Sequence, residues 1–434
     1  MNMINVRRLT VMTFLGAGML PGISAQSSLL QADTLQEMKI PTQWDLQSCI
    51  DYAKEQNITI RKNRITAAGT QIDVKTAKAA LFPSLSFSTG HQVVNRPYQE
   101  TSSRVSGSEI ISSNSKTSYN GNYGLNASWT LYNGNKRLKT IQQEKLNNQI
   151  AELDVATSEN NIQESIAQVY IQILYAAESV RVNENTLQVS IAQRDRGQEL
   201  LNAGSIAKSD LAQLEAQVST DRYQLVTAQA TLEDYKLQLK QLLELDGENE
   251  MNIFLPALSD ENVLAPLPAK REVYISALGL RPEIEASKLN VEASELGINI
   301  AKSSYFPTIS LSAGIGTNHT SGSDFTFGEQ VKNGWNNSIG LSVSVPIFNN
   351  RQTKSAVQKA KLQYEMSMLS LLDEQKALYK TIETLWLDAN SAQQRYAAAN
   401  EKLKSTKISY ELTSEQFNLG MKNTVELLTE KNNL

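Results

Sequence analysis

The chain has 434 residues, and its 41 Lys+Arg against 45 Asp+Glu give a net charge of −4. This balance excludes the strong positive field with which proteins bind nucleic acids. Hydrophobic residues make up 41% and aromatic residues 6%, a mixture that suits long solvated helices better than a large aromatic core. Residues 1–25 are typical of an export signal peptide, because Arg7 and Arg8 precede an apolar stretch and Ala25 ends a small-residue cleavage site.

The remainder of the chain predicts two copies of one structural plan. Residues 26–56 form an N-terminal segment that ends in a short helix, and residues 246–280, with several prolines, form a linker. The first repeat, 57–245, comprises a helix at 57–81, a β-hairpin at 84–132, a long helix at 134–202 and a return helix at 206–245. The second repeat, 281–434, comprises a helix at 281–305, a β-hairpin at 308–347, a long helix at 350–418 and the start of a return helix.

Matching motifs define the repeat. The motif "LFPSLSFSTG" in the first copy corresponds to "YFPTISLSAG" in the second. The separation between Asn133 and Asn349 equals the separation between Gly204 and Gly420. The interval from the asparagine to the glycine therefore has the same length in both copies, and neither interval contains a proline. Both are rich in good helix formers, and about 70 residues of helix would extend ~105 Å.

The hairpins alternate apolar with small polar residues. In the stretch "NYGLNASWTLY" every second residue is apolar, and the residues between are Gly, Asn, Ser and Thr. This pattern is typical of membrane-barrel strands, although a strand of a soluble β-sandwich alternates too. Four strands do not close a barrel, and open strand edges are not stable in lipid. Three copies of the chain would supply twelve strands.

Two other classes of protein compete with this interpretation. The sequence has no nucleophile elbow or metal-ligand cluster at helix spacing. Its two histidines, His91 and His319, fall in predicted strands or strand loops and are interpreted as surface-loop residues. We therefore expect no enzyme activity, no metal site and no cofactor. A soluble periplasmic coiled-coil scaffold would explain the long helices, but it would have no need for hairpins with uncharged alternating faces.

The order of these motifs resembles that of the TolC-like outer-membrane efflux protein family. The resemblance extends over the whole mature chain. It rests on "WDLQSCIDYAKEQNITIR", on the two Phe-Pro junctions, on "LRPEIEASKLNVEAS", on "VPIFNNRQTKSAV" and on the paired Gly-x5-Asp/Glu-Leu segments. It implies a mainly α protein with a transmembrane β-hairpin region and a two-fold internal repeat. Trimerisation would complete a long α-helical barrel and a 12-stranded β-barrel.

The resemblance also implies a function and partners. The protein would be the exit duct of a tripartite efflux or secretion system, embedded in outer-membrane lipid and projecting into the periplasm. Its partners would be two further copies of itself, a periplasmic adaptor protein and an inner-membrane transporter, but no nucleic acid. The exported substrate stays open, so protein secretion and metal export remain alternatives to drug efflux.

The residues that the resemblance singles out lie near the two glycine turns. Gly204 and Gly420 would form the tips on which the adaptor docks. In the closed gate, hydrogen bonds and ion pairs would join neighbouring helices near the turns. Asp210 would be an acidic partner in these contacts and Lys422 a basic partner. Phe417 stands where the family often has a tyrosine, and its ring cannot donate the hydrogen bond that a tyrosine would.

An acidic ring at the entrance is a further implication of the resemblance. Glu426 would belong to this ring, whereas Thr429 stands where a second acidic ring would lie. The alternative is that the charged residues near the turns are solvated charges at helix ends, each with little effect by itself.

The last helix of the second repeat is shorter in this sequence than the corresponding helix of the first repeat. A return helix at 206–245 follows Gly204, whereas the sequence ends at Leu434, soon after Gly420. From the repeat we expect the working duct to have a longer C-terminal helix than this sequence contains.

Overall fold

The computed structural model describes residues 43–98, 102–106, 109–113, 116–246, 251–256, 263–321, 323 and 325–434. The helices and strands belong to one structural unit, Trp44–Leu434. The predicted signal peptide and residues 26–42 lie outside the described residues.

Each repeat contains one helix of moderate length and one very long helix. The N-terminal segment ends in α1 (Leu46–Gln56). In the first repeat the elements are α2 (Ile58–Ala79), β1 (Ser84–Asn95), β2 (Ser102–Ser106), β3 (Glu109–Ser113), β4 (Thr117–Asn133), α3 (Lys136–Asn202) and α4 (Lys208–Leu242). After α5 (Lys270–Leu280), the second repeat has α6 (Pro282–Ser303), β5 (Thr308–Thr320), α7 (Phe327–Asn333), β6 (Asn336–Ser344), α8 (Gln352–Asn418) and α9 (Thr424–Asn433). Helices α2 and α6 have the same length, and so do the very long helices α3 and α8.

Turns with left-handed backbone conformation connect the strands to the long helices. Gly134 and Asn135 have φ values of 68° and 62°, and Asn350 and Arg351 have φ values of 49° and 64°. Asn tolerates this conformation better than most side chains, and Gly adopts it without steric cost. At Gly134 a Cβ would also lie 2.6 Å from the Ser303 carbonyl oxygen. The turn therefore fixes how α3 leaves the sheet beside α6.

The largest core joins α1 to the first helical hairpin. Its buried residues come from the entry of α1, from the middle of α3 and from the end of α4: Trp44, Cys49, Ile50, Ala53, Ile166, Tyr170, Ile173, Leu239 and Leu243. Trp44 exchanges two backbone hydrogen bonds of 2.8 Å with Asn252 and Phe254. Burial raises the pKa of the Cys49 thiol to about 12, so this cysteine is an unreactive core residue.

The four long strands form one antiparallel sheet in the order β1-β4-β5-β6. β4 belongs to the first repeat and β5 to the second, and their pairing from Asn120↔Thr320 to Asn133↔Thr308 joins the two hairpins. β2 and β3 form a separate two-stranded sheet. None of the helices in the described part of the chain is both long and apolar enough to cross a membrane.

Three details differ from the sequence-based expectation. The predicted linker contains helix α5, and the second hairpin carries helix α7 between its strands. The hydrogen bonds between Thr326 and Glu329 form a capping box that starts α7. The interpretation of the histidines as loop residues is wrong, because His91 lies within β1 and His319 within β5.

Candidate functional site

The two glycine turns have the same geometry. Gly204 has a φ of 70° and Gly420 a φ of 74°, the left-handed conformation that commonly ends a helix. After each glycine the next N–H reaches back along the helix, from Ser205 to the Leu200 carbonyl at 2.8 Å and from Met421 to the Gln416 carbonyl at 2.9 Å. A Cβ at either glycine would meet no atom within 4 Å. Both turns are therefore open tips at which glycine is needed for its backbone conformation.

Apolar packing holds the two tips together. Phe417 is 2% exposed and lies in a cluster with Leu200, Leu214 and Leu427, so all four helices of the tips contribute. Gly197 on α3 admits this packing, because a Cβ there would lie 2.5 Å from Leu214 Cδ1. The residue predicted to be a weakened lock is therefore a core residue, whose ring stabilises contact between the α3–α4 and α8–α9 hairpins.

The charged residues predicted for the gate make local contacts within the chain. Asp210 Oδ2 accepts a hydrogen bond from the Ala207 N–H at 3.1 Å, at the start of α4. Lys422 Nζ lies 2.7 Å from Glu426 Oε1. Glu426 also accepts from the Asn423 N–H at 3.2 Å, and the Asn423 side chain accepts from the Glu426 N–H at 2.9 Å. Asp210 and Lys422 are thus engaged with separate partners, and Glu426 caps α9.

Glu426 keeps its negative charge more readily than an ordinary glutamate. The hydrogen bond from Lys422, followed by that from the Asn423 backbone, lowers the pKa of the Glu426 carboxyl. Its side chain is 43% exposed, so water screens the interaction with Lys422. Thr429, where the resemblance would place a second acidic ring, donates its hydroxyl to the Val425 carbonyl at 2.8 Å.

A buried polar network that the sequence analysis did not identify lies behind the tips. Lys431 on α9 and Asp221 on α4 form an ion pair with Nζ and Oδ2 2.5 Å apart, and their side chains are 6% and 3% exposed. Ser190 on α3 donates a hydrogen bond to the same Asp221 oxygen and contacts Lys431. Gln217 donates to the other Asp221 oxygen at 2.8 Å. This Ser190–Asp221–Lys431 network joins three helices of the two repeats.

Two further polar contacts continue the connection between the helical hairpins. Gln193 on α3 donates to the Tyr410 hydroxyl on α8 at 2.7 Å, and Ser409 donates to Glu430 on α9 at 2.7 Å. Burial raises the pKa of the Tyr410 hydroxyl, so Tyr410 stays neutral. In the described part of the chain, no group of three or more His, Cys, Asp or Glu residues is placed to hold a metal ion.

The fold therefore defines a class of proteins in which paired helical hairpins of great length carry a small antiparallel sheet at one end. A model of the outer membrane efflux protein family matches residues 49–244 and 273–434. The chain belongs to this family of outer-membrane efflux channels, and the predicted family and fold class are thereby confirmed.

Known proteins similar to the chain support this membership. It is 24% identical to the outer membrane efflux protein BepC of Brucella suis over 278 residues, which cover 64% of the chain and 58% of BepC. It is 21% identical to the outer membrane protein TolC of Escherichia coli K12, over 94% of the chain and 78% of TolC. A crystal structure of CusC superposes with a TM-score of 0.74 at 19% identity, over 89% of the chain and 85% of CusC. The protein is accordingly located in the outer membrane.

Proposed function

We propose that three copies of this chain form the outer-membrane exit duct of a tripartite efflux system. An inner-membrane pump and a periplasmic adaptor would deliver the substrate, and the duct would carry it across the periplasm and the outer membrane. The observation that carries the proposal is the four-stranded sheet, which has an apolar face, a polar face and two open edges.

The register places apolar residues of all four strands in rows on one face. One such row is Leu85, Ala127, Ala313 and Ile339. The neighbouring row on the other face is Ser86, Asn126, Gly314 and Ser338. Ile339 is 83% exposed and Leu85 70% exposed. An exposed apolar face opposite an uncharged polar face matches strands that contact lipid outside and water inside.

The edges of the sheet favour assembly. β1 and β6 end the strand order, so within the described part of the chain each has one side without a strand partner. Unpaired backbone groups in a hydrocarbon environment cost several kcal/mol each. Pairing β6 of one copy with β1 of the next would remove both edges, and three copies would close twelve strands. This closure requires no residue beyond those already in the sheet.

Aromatic side chains mark two levels on the apolar face. Trp129 and Tyr119 lie on the same face of β4, and both are 38% exposed. The roughly ten residues of strand between them span ~34 Å, and a tilt of about 40° reduces the height to ~26 Å. This matches the apolar band of about 25 Å between the aromatic girdles of outer-membrane barrels. We therefore propose that Trp129 and Tyr119 lie at the two lipid interfaces.

The tips supply a surface for the adaptor. Leu419 and Met421, on either side of Gly420, are 72% and 71% exposed. Large apolar side chains at an open turn are typical of a protein-protein contact. We propose that the adaptor docks on this turn and on the matching turn of the first repeat at Gly204.

The charged residues near the tips would control the entrance. Glu426, repeated three times around the axis, would give the entrance a negative ring, because its lowered pKa keeps the carboxylate ionised. Asp210 and Lys422, which lie beside the turns of the first and second repeats, would help to hold the entrance closed.

The sheet region of the duct has little means of choosing a substrate. The polar rows of the sheet consist mainly of Ser, Asn and Gly, so they offer no charge for selection. CusC is named a cation efflux system protein, and a relative in Aggregatibacter is named a toxin and drug export protein. We assign the selection of drugs, metal ions or proteins to the pump and the adaptor.

Outer-membrane extraction tests the proposed assembly. The expected result is a heat-modifiable trimer in the detergent extract of outer membranes, with a mass three times that of the chain by native mass spectrometry. A pull-down with crosslinking at Met421→Cys should capture an adaptor, whereas the same cysteine at Lys380, far along α8, should not. Recovery as a monomer in the soluble periplasm would instead support the coiled-coil scaffold.

The gate residues give a second test. Replacing both Asp210 and Lys422 by alanine is expected to increase single-channel conductance in planar bilayers several-fold, because charges that hold the tips closed are removed. The matched control replaces Asp234 on α4 and Lys380 on α8 by alanine. This double variant loses one negative and one positive charge as well, but at positions away from the tips. Unchanged conductance in the Asp210/Lys422 variant, with the trimer intact, would remove both residues from the gate.

A further inference from the structure

The two histidines of the chain meet on the sheet. The sequence contains His91 and His319 and no other histidine. Both are register partners of Gly121, which lies between them on the central strand β4. The imidazole centroids are 6.4 Å apart. Two residues from different repeats are thus brought to one place by the pairing of β1, β4 and β5.

Gly121 has no side chain, so a space remains above it between the imidazole rings of His91 and His319. A Cβ at this position would lie 2.2 Å from His319 Cε1, 2.6 Å from His319 Nδ1 and 3.1 Å from His91 Nδ1. The two Nδ1 atoms therefore face the same space above the glycine. Any larger residue at Gly121 would occupy this space.

The hydrogen bonds of the two rings differ. His91 Nδ1 lies 2.8 Å from the Tyr119 hydroxyl, and His91 Nε2 lies 3.2 Å from the Thr89 hydroxyl. His319 Nδ1 is buried and has no hydrogen-bond partner among the described residues. A buried polar atom without a partner is rare and carries an energetic penalty. A ligand held by both histidines would satisfy it.

Aromatic rings enclose His319 and restrict its orientation. Tyr123 stacks on the imidazole with centroids 5.9 Å apart, and Phe327 of α7 meets it edge-on at 5.0 Å. Rings held in this way lose little freedom when they bind a ligand, which favours binding. The Tyr119 ring centroid lies 5.3 Å from that of His319, and the hydrogen bond of its hydroxyl to His91 Nδ1 places the hydroxyl beside the same space.

We propose that His91 and His319 bind a divalent transition-metal ion above Gly121 through their Nδ1 atoms. Neutral imidazole is a preferred ligand of Zn²⁺, Cu²⁺ and Ni²⁺. Zinc–nitrogen distances of about 2.0–2.1 Å require the two nitrogens to approach within ~4 Å of each other, so the exposed His91 ring would turn toward His319 when the ion binds. The Tyr119 hydroxyl completes the coordination together with water, which is present at the lipid interface where Tyr119 would lie in the proposed duct. With two protein nitrogens the ion is exchangeable.

The position of the site gives the ion a structural effect. His91 belongs to the hairpin of the first repeat and His319 to that of the second, so the ion links β1 to β5 across β4. Ser84 and Thr308 begin the two strands, next to the helices that precede them. His91 and His319 are several residues further along the strands, away from the helices. Binding to the folded state alone raises its stability by mass action. The inference holds for the single chain and does not rest on the proposed duct.

The full chain, purified without a polyhistidine tag, is to be titrated with ZnCl₂ by calorimetry. We expect one saturable site per chain. Each of His91→Gln and His319→Gln should weaken binding at least ~10-fold, as losses in metal sites commonly do, and the double variant, which contains no histidine, should not bind. Tyr132→Phe, which removes only a hydroxyl near the other end of the same strand, is the matched control and should bind as the unaltered protein does.

Two further measurements keep the test independent of the folding of the variants. The Cu²⁺-loaded protein should show nitrogen coupling from two imidazoles in electron paramagnetic resonance. Saturating Zn²⁺ should protect both histidines of the unaltered protein from diethyl pyrocarbonate. Absence of a saturable site, equal binding by the histidine-free variant, or full modification in the presence of Zn²⁺ would each overturn the proposal.

Discussion

Replacing Lys431 by methionine is expected to destabilise the packing of α9 against α3 and α4 by about 3–5 kcal/mol. The substitution removes the cation that faces Asp221. The Asp221 side chain is 3% exposed and, among the described residues, would retain hydrogen bonds from Ser190 and Gln217 alone. An unpaired buried charge carries a far larger penalty than the loss of a surface ion pair. Hydrogen exchange of the α9 amides measures the local opening free energy directly.

Lys422 provides the matched control. It also pairs with a carboxylate on α9, but the side chains of that pair are 38% and 43% exposed. Lys422→Met should therefore change the same opening free energy by at most about 1 kcal/mol. Combining Lys431→Met with Asp221→Leu should restore most of the loss, because a buried ion pair can be replaced by apolar residues at little cost. Equal effects of the two lysine substitutions would show that Asp221 and Lys431 are not desolvated in solution.

A lysine at Ile339 should prevent the sheet from assembling in the membrane, whereas a lysine at Ser338 should be tolerated. Ile339 lies in the apolar row and is 83% exposed, and Ser338 lies in the polar row on the opposite face. A lysine facing lipid costs ~2–4 kcal/mol per chain at the middle of the bilayer and less toward the interfaces, and Ile339 lies inside the apolar band, one row from that of Trp129. Three symmetric copies would each carry this penalty.

The fraction of heat-modifiable trimer in outer membranes measures the effect, with total protein determined by immunoblot. The two variants place the same residue type at neighbouring positions of one strand, so they carry the same net charge. If Ser338→Lys proved the more harmful, the assignment of the lipid-facing and water-facing sides of the sheet would be reversed.

Much of the fold could be predicted because local chemistry determines it. The long helices begin and end close to the limits expected from proline-free stretches and the glycine turns. The predicted alternation of apolar and polar residues along the strands agrees with the observed pairing, because residues predicted to share a face lie opposite one another on neighbouring strands. Helix α7 was missed although its signal was present, because Thr326 and Glu329 have the spacing of a capping box.

The side-chain contacts across the molecule could not be predicted. Lys431 is an ordinary solvated charge in the sequence, and it is buried only because Asp221 and Ser190, both distant along the chain, lie opposite it. The meeting of His91 and His319 depends on the β4–β5 register, in which a shift of one residue would send the rings to opposite faces. Phe417 was interpreted as the loss of a hydrogen bond, whereas its burial shows a gain in apolar packing.

The Ser190–Asp221–Lys431 network also sets an order of assembly. Ser190 and Asp221 lie on consecutive helices joined by one turn, so they meet as soon as α3 and α4 fold back on each other. Lys431 can join them only after the second repeat has been made and has closed a very long loop of chain, which is a late event. Contacts that form after the folding transition state slow unfolding without speeding folding. The ion pair behind the tips therefore contributes chiefly to the lifetime of the finished structure.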